Sequence, residues 1–256
     1  MNKRIAIITG ASSGLGREYA EQLKENTELD EIWAIARRRE RLEKLAAESP
    51  VIRPVPLDLT SVEDMKKLIR MLDEEHPDIR ILINAAGMGR AAYASETAAE
   101  DIDNMIDLNC KAAVRVTAMC LPLMSKGSSV LQIASIAGFQ PIPSLAVYAA
   151  AKAFLLSYTE SLHHELKAEG IHVTAVCPYW VKDTEFISIA RQNGTTLFTH
   201  TPLASLSKDI VRISLRDSSH NRMISTPGII SSAERIASKI LPDSILMGIM
   251  NFASKL

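Results

Sequence analysis

Along the chain, short runs of apolar residues alternate with longer segments in which apolar positions recur every three to four residues. Arg4–Thr9 (RIAIIT) is an isoleucine-rich run ending at a glycine, the pattern of a strand covered on both faces. Leu15–Asn26 sets Leu15, Tyr19, Ala20 and Leu23 on one helical face. Glu31–Ala36 (EIWAIA) predicts a second strand, and Arg38–Glu48 a charged helix. Val51–Leu57 predicts a third strand whose length is left open by Pro54 and Pro56, since proline cannot donate to a ladder. Ser61–Glu75 is an amphipathic helix with Ser61 or Thr60 as N-cap. Ile79–Asn84 is a fourth strand, Ala98–Met124 a long helical region and Ser129–Ala134 a fifth strand. A helix from about Ser144 to Glu169 stops at Gly170, Ile171–Val176 is a sixth strand, and Arg222–Thr226 is a candidate seventh. Strand and helix alternating in this way predict an α/β fold, a doubly wound parallel sheet with helices on both faces. No internal repeat or low-complexity linker divides it, so residues 1–256 read as a single domain.

Composition narrows the class. The 256 residues are 47% hydrophobic and 23% charged, ordinary for a globular protein with a sizeable core. A formal net charge of −1, with acids and bases mixed, gives no expectation of nucleic-acid binding. Cys110, Cys120 and Cys177 are too few and too scattered for a disulfide frame or a metal site, and read as small buried residues in a reducing compartment. The first strand begins close to Met1, which leaves no room for a signal peptide, and no apolar run reaches the length of a membrane span. A cytoplasmic location is the expectation.

Chemistry concentrates in two places. Tyr148 and Lys152 are spaced i, i+4, so on a helix they share one face. A free phenol, with a pKa of about 10, is a poor acid or base near neutrality. An ammonium one turn away favours the phenolate and is expected to lower that pKa. Ser135, thirteen residues before the tyrosine, can hold a substrate oxygen against the phenol. At the other end of the chain the turn from Thr9 to Gly16 carries Gly10, Ser12, Ser13, Gly14, Leu15 and Gly16 between a strand and a helix. Its glycines allow backbone to approach a phosphate at a helix N-terminus. The glycine spacing is neither the G-x-G-x-x-G fingerprint nor a lysine-closed phosphate loop, so the turn alone also reads as a plain tight turn. The second strand ends Ala36-Arg37-Arg38, with no carboxylate for a ribose hydroxyl. Arg37 and Arg38 suit an adenosine 2′-phosphate; the alternative is a solvated basic helix start shared with Arg39 and Arg41. Asp58 and Leu59, after the third strand, can flank an adenine edge.

The ordered set T-G-A-S-S-G-L-G at 9–16, Asp58-Leu59, Asn84-Ala85-Ala86-Gly87, Asn109, Ser135 and Tyr148-x-x-x-Lys152 resembles the short-chain dehydrogenase/reductase family over about residues 3–230. The resemblance implies a Rossmann-type sheet of about seven parallel strands, with a nicotinamide dinucleotide across the strand C-termini. It implies a catalytic tetrad of Asn109, Ser135, Tyr148 and Lys152. Tyr148 would be the acid/base, Ser135 would hold the substrate oxygen, Lys152 would bind the nicotinamide ribose and lower the tyrosine pKa, and Asn109 would keep a water in a proton relay. Arg37-Arg38 resembles the NADP-preferring branch, so NADP(H) is expected ahead of NAD(H). After the sixth strand, relatives commonly carry proline-glycine, then valine or isoleucine, then threonine. Here the run is Pro178-Tyr179-Trp180-Val181-Lys182-Asp183-Thr184, with tyrosine for glycine and Thr184 one residue late. Backbone donation from Val181 and a carboxamide contact from Thr184 are the expectation. A homodimer or homotetramer is also implied.

The expected partner is a small-molecule carbonyl compound or alcohol. Gln140, Leu145, Tyr179 and Trp180, with Met88, Phe139, Ile142 and Phe186, are expected to line its pocket. Their apolar, aromatic character with no paired charges suggests a bulky lipid- or steroid-like ketone. Glu185–Ser205, with Asn193-Gly194 and Pro202, reads as a lid, and residues 231–256 as an apolar helical extension. His163 and His164 read as surface residues, and His76, His172, His200 and His220 do not cluster, so no metal site is expected. Two other functions use the same features: a non-catalytic NADP-binding redox regulator, and a sugar-nucleotide epimerase or dehydratase.

Overall fold

A computed structural model describes residues 2–186, 204–242 and 244–248. Seven strands, β1 (Arg4–Thr9), β2 (Glu31–Ala36), β3 (Ile52–Pro56), β4 (Asp78–Asn84), β5 (Ser129–Ile133), β6 (His172–Val176) and β7 (Ile224–Ser225), form one sheet in the order β3-β2-β1-β4-β5-β6-β7. Every neighbouring pair is parallel. The chain runs outward from β1 to β3, then crosses back so that β4 lies on the other side of β1. The crevice above the C-terminal ends of β1 and β4 is the switch point at which open α/β sheets bind ligands.

Side chains alternate along the central strands and so face two helical layers. Ile5, Ile7, Trp33 and Ile35 pack with Met65 and Leu68 of α3 (Val62–Glu75) and with Val116 of α5 (Ala113–Cys120). Ala6, Ile8, Ile32 and Ala34 pack with Tyr19 of α1 (Gly14–Leu23), Leu42 of α2 (Arg39–Ala47) and Ile210 of α7 (Ser207–Ser219). Near-continuous apolar strands are what a sheet covered on both faces requires. Pro54 and Pro56 are accommodated because β3 is an edge strand.

Several boundaries differ from the pattern. The region 98–124 is not one helix: α4 (Ala99–Ile106) passes through a π-helical segment at Asp107–Ala112 into α5 and ends in a short turn at Leu121–Leu123. Ser61 is the N-cap of α3, its hydroxyl accepting from Asp64 N at 3.3 Å. The tyrosine helix α6 covers Ala146–Glu165, shorter than predicted, because Ser144 sits at φ 62° and the chain turns twice more before Gly170. Helix α7 lies outside the predicted elements; its buried face mixes Ile210 and Val211 with Ser207, Ser214, Asp217 and Ser218. His163 is not a surface residue: its Nδ1 lies 2.8 Å from Val173 O and ties α6 to β6, whereas His164 is exposed.

Beyond β7, helix α8 (Ile229–Ile240) and a helical turn at residues 244–248 follow, with Ile229, Ile236 and Ile240 exposed. Most of the expected lid, including Asn193, Gly194, His200 and Pro202, and residues 249–256 of the expected extension lie outside the described residues. Among the described residues no helix is long and apolar enough to cross a membrane, and no cluster of ligands could hold a metal ion.

A polar knot fastens the sheet to α5. The Thr117 hydroxyl donates to Ala113 O at 2.7 Å and accepts from the Asn84 amide at 2.9 Å and the Gln132 amide at 2.8 Å, all buried. Thr117→Val removes the only oxygen that Gln132 Nε2 reaches among the described hydrogen bonds, and stranding a buried donor costs about 1–3 kcal/mol. The variant is expected to melt several degrees below wild type in a thermal scan, with Thr117→Ser close to wild type.

Candidate active site

The site begins where β1 runs out. Gly10 takes φ +71°, and a Cβ there would lie 2.8 Å from Ala85 O and Ala86 N, so the loops after β1 and β4 touch directly. Gly16, in the first turn of α1, leaves no room for a Cβ against the Gly10 carbonyl. Ser13 is the N-cap of α1 in extended backbone, yet its side chain caps nothing. The first-turn N–H groups therefore have no side-chain cap, while Gly14, Leu15 and Gly16 line a cavity of about 860 Å³. That is an anion-binding arrangement.

Cations stand beside it. Arg38 donates through Nε to Ser12 Oγ at 3.1 Å and through a terminal nitrogen to Ser13 Oγ at 2.6 Å. Its other terminal nitrogen meets Glu185 at 2.9 Å, and Arg41 reaches the second oxygen of the same carboxylate at 2.7 Å. Arg38 and Arg41 thus hold one internal anion between them. Arg37 also lines the cavity but is exposed, 3.8 Å from Asp58. Both members of the expected pair, Arg37 and Arg38, line the cavity, and Arg41, one helical turn from Arg38 on α2, joins Arg38 on Glu185. Asp58 binds the Thr60 hydroxyl and N–H, and Leu59 is buried; both border the cavity.

The loop after β4 brings Ala85, Ala86 and Gly87 to the cavity wall, but not Asn84. Asn84 is buried and spends its amide inside the Thr117 knot, so its expected role in cofactor contact gives way to a structural one. Asn109 lies in the π-helical segment and clamps that loop. Its amide donates to Met88 O at 2.8 Å and Met105 O at 2.9 Å, and its carbonyl oxygen accepts from Met88 N at 3.2 Å.

Ser135 follows β5, and Tyr148 and Lys152 descend from α6 over it. Ser135 Oγ accepts from Ala137 N at 3.1 Å, and Ser135 and Tyr148 line the same cavity. The Lys152 ammonium lies 5.6 Å from the Tyr148 ring centroid and donates to Ile133 O at 2.8 Å. A Cβ on Gly87 would lie 2.7 Å from Asn109 Oδ1 and 3.5 Å from Lys152 Nζ, so these side chains converge on one point. The electrostatics reverse one expectation. Burial pushes the Tyr148 phenol up to about 12, partly opposed by the nearby Ser135 side chain, rather than down under the influence of Lys152. Burial likewise brings Lys152 down to about 8.

After β6, Pro178 O accepts from Ile136 N at 3.2 Å. Val181 bridges Ser205 in parallel fashion: Lys182 N donates to Ser205 O, and Ser205 N to Trp180 O. This geometry turns the backbone groups of Val181 itself away from Ser205. Thr184 donates to Val181 O at 3.1 Å and would sit 3.4 Å from a Cβ on Gly14, directly over the glycine turn. Asp183 accepts from the N–H and hydroxyl of Ser207, anchoring the loop to the start of α7.

The far end of the cavity has Met88, Ile142, Leu145, Tyr179, Trp180 and Phe186 in its walls. Phe186 packs on Tyr148 with ring centroids 5.4 Å apart. Phe139 instead joins a cluster with Leu156 and Cys177, and Gln140 is not in the wall but hydrogen-bonds a residue that is, Glu234 of α8. The lining is therefore not free of charge, and the sequence pattern missed Glu234 because it lies some 85 residues beyond the tyrosine in the chain.

Comparison with known proteins agrees with this arrangement. A family model described as short chain dehydrogenase matches residues 4–193. An uncharacterized oxidoreductase of Myxococcus xanthus is 31% identical over 251 residues, covering 96% of this chain and 95% of that protein. A short-chain dehydrogenase from Sphingobium yanoikuyae, solved in complex with NADPH, superposes with a TM-score of 0.79 at 30% identity, over 97% of this chain and 95% of that one. The bulky-bulky ketone specific alcohol dehydrogenase from Comamonas testosteroni gives 0.73 at 26% identity, over 95% and 97%. A match across three quarters of the chain, on a seven-stranded parallel sheet with the serine, tyrosine and lysine gathered at its mouth, makes this chain an oxidoreductase of the short-chain dehydrogenase/reductase family.

Proposed function

We propose that the chain is an NADP(H)-dependent enzyme that interconverts a bulky, mainly apolar ketone and its secondary alcohol, with Tyr148 as the proton donor and acceptor. The observation that carries this reading is that Ser135, Tyr148 and Lys152 line one cavity with the uncapped N-terminus of α1. The residues fit a dinucleotide. Gly10 and Gly16 keep the turn clear of side chains, the α1 N-terminus suits a pyrophosphate, and Arg38 with Arg41 already holds a carboxylate where a 2′-phosphate would compete. When bound, such a cofactor supplies or accepts the hydride.

The chain's own groups manage the proton. Near neutrality a phenol with a pKa of about 12 is protonated, so Tyr148 stands ready to donate to a ketone oxygen. Ser135 and Tyr148 together present two hydroxyls to the charge that develops there. Asn109 and Lys152 hold the floor of the site, the first by clamping the 85–88 loop and the second by its bond to Ile133 O. The aromatic wall of Tyr179, Trp180 and Phe186 excludes water. The NADPH complex of the Sphingobium protein and the bulky ketones of the Comamonas enzyme point in the same direction.

Three outcomes are expected. Tyr148→Phe keeps NADPH affinity, measured by fluorescence titration, but loses at least about 100-fold in turnover, the scale of a lost general acid; unchanged turnover would favour a redox regulator. Arg38→Ala combined with Arg41→Ala weakens NADPH by at least about tenfold and leaves NADH nearly unchanged, the signature of a lost phosphate contact. Lys152→Met is inactive yet more stable at neutral pH by a margin on the order of 2–3 kcal/mol, because folding depresses the lysine from 10.5 to about 8. The unfolded chain holds that proton more tightly, so wild type gains stability as pH rises from about 8 to 10.5 and the gap to the variant closes. Denaturant melts at neutral and alkaline pH read it directly.

A further inference from the structure

The substrate end of the cavity holds a carboxylate whose partners among the described residues do not account for its charge. On α8, Ile230 and Glu234 are spaced i, i+4 and both face the cavity, beside Tyr179 and Trp180 from the segment after β6. Glu234 is half-buried and accepts a hydrogen bond from the Gln140 amide. Gln140 is itself buried, follows the Ser135 turn, and so connects α8 to the catalytic serine's own loop. Among the described residues Glu234 forms no ion pair. The cations of the wall have other partners: Arg90 meets Asp101, Arg38 meets Glu185, Arg37 lies 3.8 Å from Asp58, and Lys152 donates to Ile133 O.

A neutral amide satisfies part of a carboxylate but does not balance it, and a charge withdrawn from water without a counter-charge is unfavourable. An aliphatic residue would close the apolar wall at lower cost. Burial already holds the Glu234 carboxyl above the usual range, with the Gln140 bond opposing that shift. Pockets that are mostly apolar orient their ligands through a few placed polar groups, and Glu234 is such a group beside Ile230, Tyr179 and Trp180.

We infer that Glu234, oriented by Gln140, is a substrate-recognition residue, and that the ketone this enzyme takes carries a hydrogen-bond donor, a hydroxyl or an ammonium, on its otherwise apolar frame. The inference rests on the ketone-reductase reading and narrows its substrate class. Ile230, Tyr179 and Trp180 hold the frame, and Glu234 accepts from the donor. A site built to hydrogen-bond a substituent discriminates strongly against a molecule lacking it, because its own polar group is then left buried and unpaired.

The test uses three matched aryl ketones: para-(aminomethyl)propiophenone, para-(hydroxymethyl)propiophenone and para-ethylpropiophenone. Calorimetric binding in the presence of NADP(H) and NADPH oxidation are both measured, with wild type, Glu234→Gln and Glu234→Leu. Wild type is expected to bind at least one donor-bearing ketone about tenfold or more tighter than the ethyl compound, the worth of one charge-assisted hydrogen bond. Glu234→Leu is expected to abolish or reverse that preference. Glu234→Gln, which keeps an oxygen for Gln140 to donate to and guards against misfolding, is expected to lose any preference for the ammonium over the hydroxyl. Equal binding of all three ketones by wild type, or a preference that survives in Glu234→Leu, overturns the inference. Binding with the expected preference but no oxidation of NADPH leaves the subsite standing and instead contradicts the reductase reading.

Discussion

The hydrogen bond from Lys152 Nζ to the carbonyl of Ile133 sets the geometry on which the site depends. Ile133 is the last residue of β5, and Ser135 stands two residues beyond it. Lys152 lies one turn after Tyr148 on α6. Pinning the ammonium to the strand end therefore fixes the height of the helix over the sheet and brings the phenol to the serine. The contact is made at a cost, since the ammonium is buried and its charged form is disfavoured. A buried ammonium at the centre of the site is the kind of stability cost found where function constrains a residue.

The cavity has two electrostatic ends. At one, an uncapped helix N-terminus and the Arg38–Arg41 pair make a place for anions, occupied from within by Glu185. At the other, aromatic and aliphatic walls are interrupted by the Glu234 carboxylate. The tyrosine and serine lie in the same cavity with their proton held on the phenol by burial. Between these ends lie the Tyr148 and Ser135 hydroxyls with the buried Lys152 ammonium beside them, and in a low-polarity environment two hydroxyls act strongly on a nearby oxyanion.

Much of this was legible before any coordinates. Both faces of a parallel sheet are buried, so β1, β2 and β4 announce themselves as apolar runs, and the i, i+4 spacing of Tyr148 and Lys152 needs only a helix to bring them to one face. Other features depended on tertiary context. Helix α7 is buried through serines and an aspartate as much as through Ile210 and Val211. Arg41 became the partner of Arg38 only through the placement of Glu185, far away in sequence. Asn84 belongs to a motif that points to the cofactor, but the β4 register turns it inward to Thr117. The direction of the Tyr148 shift depends on the depth of burial, which the i, i+4 spacing of a neighbouring ammonium does not reveal.

The central claim is that one substrate carbon receives a hydride while its oxygen receives the Tyr148 proton, and isotope transfer tests it most directly. Wild-type enzyme is incubated with a bulky ketone and NADPH bearing deuterium at the nicotinamide C4, on each face in turn, and the alcohol is analysed by mass spectrometry and NMR. The account predicts deuterium on the carbinol carbon from one face only and none from the other. Cofactor oxidised with no deuterium at that carbon would contradict it.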